Sequence, residues 1–125
     1  MSQIDVADET WMVAPPERLA AVVSDPANWR RWWPDIELAV DKMRGPLGVR
    51  WFVRPSAALP YAGSMEVWLE ADREGVVVHY FLRLDLPDTA GRPTRMVRRM
   101  QRAALGQRRR TKRVFWALKD DLECR

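Results

Sequence analysis

The stretch VAPPERLAAVVSDPANWRRWWPD, Val13 to Asp35, carries the most structural instruction in this 125-residue chain. Pro15 and Pro16 suit the first turn of a helix, where a missing N–H costs nothing. Leu19, Val22 and Val23 then recur at helical spacing as an apolar stripe. Asp25-Pro26 ends that helix, because the residue before a proline is pushed out of the α region. Trp29, Trp32 and Trp33 stand at i, i+3 and i+4, one face of a second short helix that Pro34 stops. Aromatics interleaved with Arg30 and Arg31 fit three roles: stacking on nucleic acid bases, sitting at a membrane interface, or walling a hydrophobic interior. Buried aromatics dominate core energetics, which favours the third. Arg30 and Arg31 fall off the face that the three tryptophans share, into solvent.

Outward from this segment the pattern changes period. Before it, Val6 to Val13 reads as a strand with Val6, Thr10 and Met12 on one face. After it, IELAVDKM places Ile36, Leu38 and Val40 on one side, and Gly45 to Gly48 supplies a turn. VRWFVRP sets Val49, Trp51 and Val53 opposite Arg50 and Arg54. SMEVWLEA points Met65, Val67, Leu69 and Ala71 inward, with Glu66, Trp68 and Glu70 outward. VVVHYFLRLDL gathers Val78, Tyr80, Leu82, Leu84 and Leu86 on one face. Successive strands with hairpin-sized gaps predict an antiparallel meander. From Thr94 to Glu123 there is no proline, and Met96, Met100, Ala103, Val114, Leu118 and Leu122 recur at helical spacing. That predicts one helix about 45 Å long, with Gly106 marking a bend or break.

Composition sets the class. The length fits one domain, residues 1–125, and 47% hydrophobic residues with seven tryptophans exclude a disordered chain. No apolar run reaches the ~18 residues of a membrane span, and the polar start MSQIDVADET lacks a signal-peptide pattern, so a cytoplasmic location is expected. Cys124 is the single cysteine, which excludes an intrachain disulfide and a thiolate cluster. The net charge of +4 is uneven. Arg92 to Arg113 holds ten basic and no acidic residues, leaving eleven basic against 17 acidic elsewhere. Such a dipolar chain presents a basic surface to solvent or to an anionic partner.

The order of elements and the Val13–Asp35 segment resemble the START/polyketide-cyclase-like proteins (SRPBCC, the Bet v 1-like helix-grip fold). An APPE-type start, a first helix, a D-P break and a W-x-x-W-x-P segment occur there in this order. The resemblance implies an α+β fold in which a curved antiparallel sheet wraps a long C-terminal helix around a hydrophobic cavity. It also implies that Trp29 and Trp32 pack the short helices onto the sheet and long helix, and that Trp33 lines the cavity mouth. Seven strands are usual in that family; this chain provides five, which narrows any enclosed space.

No catalytic pattern emerges. His79 is the single histidine and alternates away from the core face, and HExxH, GxSxG and phosphate-loop motifs are absent. Tyr61, Tyr80, Glu66 and Asp85 would do acid–base work only if they converged. No enzyme, no metal and no cofactor are expected. Two function classes follow. The first, implied by the resemblance, is a non-catalytic binding module for a hydrophobic small molecule (a lipid, a polyketide-like compound or a quinone), with Trp33, Tyr80 and Met100 lining the site. The second is an accessory protein docking on the cytosolic face of a membrane complex, respiratory complexes included, or on an anionic membrane surface. It would use Phe52 and Trp68 on the outer sheet face, joined by Trp11, or the arginine stretch with its triplet Arg108, Arg109 and Arg110. Nucleic acid is disfavoured, because no recognition motif accompanies the charge.

Overall fold

Two proline-initiated helices follow the first strand of the computed structural model, which describes residues 3–86 and 94–123. Arg92, the start of the basic run, and Cys124 lie outside the described residues. After strand β1 (Gln3–Met12), helix α1 (Pro16–Val23) buries Leu19, Ala20 and Val23. Helix α2 (Pro26–Trp32) follows, capped by Asp25, whose side chain accepts from the Ala27 N–H at 3.0 Å. The chain then runs through β2 (Glu37–Met43), a short 3-10 turn (Gly45–Leu47), β3 (Gly48–Arg54), β4 (Gly63–Asp72), β5 (Gly75–Asp85) and α3 (Thr94–Glu123). The five strands form one antiparallel sheet in the order β1-β5-β4-β3-β2. This is the α+β helix-grip architecture expected from the sequence, five strands included.

Alternation sorts the strands into two faces, as their patterns predict. Met12, Val49, Trp51, Val53, Met65, Val67, Leu69, Val78, Tyr80, Leu82 and Leu84 are buried on the inner face, with Val76 added at the start of β5. Ala71, expected inward, is exposed although its cross-strand partner Val76 is buried. The β2 strand breaks register between Val40 and Lys42, a bulge that its sequence pattern did not announce. Gly48 has φ +114°, and a Cβ there would collide with the Val67 carbonyl, so only glycine fits this start of β3.

Helix α3 runs unbroken through Gly106, which is exposed and has open space where a side chain would stand. The break expected there does not occur: thirty residues of mostly good helix formers, packed along a sheet, outweigh a cost of about 1 kcal/mol. Its buried stripe is Met100, Ala104, Gln107, Thr111, Phe115 and Leu122. Val114 and Leu118 flank this stripe, partly buried.

The sheet ends at two edges, and β1 is protected by α3. Lys112 Nζ donates to the Glu9 carbonyl at 2.8 Å, and Lys119 Nζ donates to the Trp11 carbonyl at 3.0 Å. Glu123 Oε1 accepts from the Val13 N–H at 3.3 Å and from Lys119 Nζ at 3.0 Å. The Lys119 hydrogen bond holds the Glu123 carboxyl below the ordinary glutamate range. These contacts occupy polar groups that would otherwise invite a second strand.

Candidate functional site

The space between sheet and α3 is occupied by aromatic side chains from four elements. Trp33, just past the end of α2, is 1% exposed. Its ring stacks on Tyr80 of β5 (centroids 6.4 Å apart, 15° between planes) and meets Trp51 of β3 edge-on at 5.4 Å. Trp32 stands edge-on to Trp33 at 5.6 Å and to Phe115 of α3 at 6.2 Å. Trp29 is edge-on to Trp51 at 5.1 Å and donates its indole N–H to the Val23 carbonyl at 2.6 Å. Tilted and offset pairs of this kind add to the burial energy of each ring. The tryptophan cluster of Asn28–Pro34 therefore joins sheet to helix, which settles its role as an interior wall. Arg30 and Arg31 are exposed, as expected.

A polar thread crosses this apolar interior. The Trp33 indole N–H donates to Thr111 Oγ1 at 2.8 Å, and the Thr111 hydroxyl donates to the Gln107 carbonyl at 2.9 Å. Among the described residues, three other buried polar atoms lack a hydrogen-bond partner: Trp51 Nε1, the Tyr80 hydroxyl and Gln107 Oε1. All three belong to residues grouped around Trp33: one ring edge-on, one stacked, and one a turn of α3 from its acceptor. Burial pushes the Tyr80 hydroxyl far above the ordinary tyrosine range, and the nearby Thr111 hydroxyl offsets this only in part. Thr111 Oγ1 keeps a free lone pair, but the two hydroxyls do not meet at hydrogen-bond geometry, so Tyr80 gains no well-formed bond from it. A phenol held neutral in this way is a hydrogen-bonding group rather than a base.

Of the sequence-derived ligand set, Trp33 and Tyr80 are brought into contact. Met100 is fully buried on the same α3 stripe, about two turns before Gln107. Trp33 lies within the core, not at a cavity mouth. Trp51, Gln107 and Thr111 complete the cluster and were missed as site residues. The legible signal for the α3 pair was two polar residues, Gln107 and Thr111, set in register with Met100, Ala104 and Phe115.

The acid–base candidates do not converge. Glu66 lies on the outer face, 2.7 Å from Arg44 and 3.8 Å from Arg50, while Tyr80 is inside. Asp85 and Tyr61 are half-buried elsewhere. His79 is also on the outer face, held between Glu70 Oε1 at 3.0 Å and Glu9 Oε2 at 3.3 Å and stacked on Trp68 at 4.5 Å. That stack leaves Trp68 only half-exposed, whereas Phe52 is 51% exposed, with Trp11 and Phe81 open on the same face. A depression of 360 Å³ lined by Asp5, Arg50, Glu66, Phe81 and Arg83 is open to solvent there. The arginine triplet is divided, because successive helical residues point about 100° apart. Arg108 turns toward Asp8 at 3.9 Å, Arg109 is exposed, and Arg110 is half-buried. Among the described residues, no helix is long and apolar enough to cross a membrane and no cluster suits a metal ion.

No family model matches the chain, and no curated protein matches it. Solved structures do. A START superfamily protein from Mycobacterium smegmatis superposes with a TM-score of 0.59 at 12% identity, covering 95% of this chain and 97% of the other. A protein of unknown function from Staphylococcus aureus, SA2116, gives 0.59 at 13% identity, covering 98% and 95%. Aha1 from Colwellia psychrerythraea, solved as a dimer, gives 0.56 at 15% identity and 96% of both chains. The chain thus has the START/SRPBCC-like helix-grip fold, and identities this low speak for the fold alone.

Proposed function

We propose that this protein is a non-catalytic binding module that takes a hydrophobic small molecule between its sheet and α3. The observation that carries the reading is the group of unpartnered polar atoms, Trp51 Nε1, Tyr80 hydroxyl and Gln107 Oε1, set in an interior otherwise walled by tryptophan and methionine. Each such group costs ~1–3 kcal/mol to bury without a partner, and native interiors keep few of them. A mostly apolar molecule with a carbonyl or hydroxyl would occupy both kinds of wall at once. Lipids, polyketide-like compounds and quinones all have this make-up. Entry requires side chains to part, for which Met100 is suited by its flexible, polarisable thioether.

Tryptophan emission tests this directly, because four indoles line the interior. Titration with oleate and with decylubiquinone is expected to quench emission saturably at one site for at least one of the two probes. Linear, unsaturable quenching by both would contradict the reading.

The outer sheet face supports a second reading, docking on a protein partner. Phe52, Phe81 and Trp11 are exposed there, interspersed with Arg50, Glu66, Arg83 and Glu70, the mix of aromatic and charged groups that protein interfaces use. Trp68, stacked on His79, would stiffen that surface from beneath.

A further inference from the structure

We propose that the solvent face of α3 is a docking surface for an anionic lipid bilayer, a role independent of any interior ligand. Arg95, Arg98, Arg102, Arg109 and Arg113 are all exposed. At about 100° per residue they fall within a sector of about 60°, opposite the buried stripe. None of the five is ion-paired among the described residues; the α3 cations that are paired, Arg108 and Lys112 with Asp8 and Lys119 with Glu123, lie at the sides of the helix. Like charges three and four residues apart destabilise a helix, and a face kept for solubility alone would interleave both signs. A ridge of one sign raises the local positive potential and attracts counter-charge from outside.

The same face carries apolar groups. Trp116 is 57% exposed, with Lys112 Nζ 5.8 Å from its ring centre, and Leu105 is also exposed. Together with Arg108, Arg109, Lys112 and the Asp8 carboxylate that pairs with Arg108 and Lys112, they border a groove of 320 Å³ between α3 and β1. Indoles favour the headgroup level of a bilayer, with arginine beside them reaching phosphate. Geometry selects a bilayer over nucleic acid. From Arg95 to Arg113 the ridge runs about 27 Å along one side of a continuous helix, a layout that suits a plane. Single strands are usually held in a concave track with several stacking rings, and this ridge has one indole near one end. The acidic residues Asp120 and Asp121 past Trp116 set the limit of the footprint.

The test is co-sedimentation of the full chain with phosphatidylcholine vesicles, with and without equimolar phosphatidylglycerol. Wild type is expected to bind only the anionic vesicles and to lose most binding between about 0.05 and 0.5 M salt. An Arg98/Arg102/Arg109→Gln variant is expected to bind ~100-fold more weakly. Trp116→Ala is expected to bind several-fold more weakly at either salt level. All these positions are exposed, and matching thermal melts would show the variants folded. Equal binding to neutral vesicles, or an affinity unchanged in either variant, overturns the proposal. So does tighter binding of oligo(dT) than of anionic vesicles through the same arginines, which would make this face a nucleic-acid surface.

Discussion

Trp33→Ala is expected to cost ~3–5 kcal/mol of folding stability. That is a large part of the ~5–15 kcal/mol available to a domain of this size. Trp33 touches the rings of Trp32, Trp51 and Tyr80 and donates to Thr111, so it links α2, β3, β5 and α3 at one point. Removing the indole opens a cavity bounded by elements that other contacts hold apart, which prevents collapse into it. Trp33→Phe retains most of the ring contact and loses the hydrogen bond to Thr111, for an expected cost of ~1–2 kcal/mol. Urea denaturation of the two variants measures the difference. A loss below ~1 kcal/mol for Trp33→Ala would contradict its placement at the junction.

Tyr80→Phe is expected to act in the opposite direction on the fold and against function. Its hydroxyl is buried without a well-formed hydrogen bond, so deleting it relieves a desolvation cost and is expected to raise stability by ~1 kcal/mol. If the hydroxyl serves a ligand, the same change removes a bond made only in the complex and weakens binding of the quenching probe by ~10-fold. A gain of stability coupled to a loss of affinity is the signature of a group kept for binding. A destabilised variant would mean that Tyr80 has an internal partner, and the account of the interior would then be wrong.

The fold was legible in the sequence because its decisive signals are local. The D-P break and the i, i+3, i+4 tryptophans defined α1 and α2, and the switch to period two marked β2 to β5. The absence of proline after Pro93 gave α3. The site was legible only in part, because it is assembled across long range. Trp33 and Tyr80 could be named as large aromatics on inward faces, but their stacking depends on how α2 crosses the sheet. Gln107 and Thr111 were hidden by a neighbouring stripe, Met96, Ala103 and Val114, which satisfies helical spacing almost equally well. The bulge in β2 and the clamp of Lys112 and Lys119 on β1 are tertiary adjustments of sheet edges, with no periodic trace. Five exposed arginines were visible as charge, but their alignment on one side of α3 needed the buried stripe to be fixed first.

Native mass spectrometry of the protein purified from its own cells is the most direct measurement of the central claim, that the sheet–helix interior holds a hydrophobic small molecule. The account predicts a population carrying one small-molecule adduct that organic solvent releases, depleted in Tyr80→Phe. A retained polypeptide in place of the small molecule would favour docking through the outer aromatic face. Only the mass of the bare chain, in wild type and variant alike, would contradict the claim.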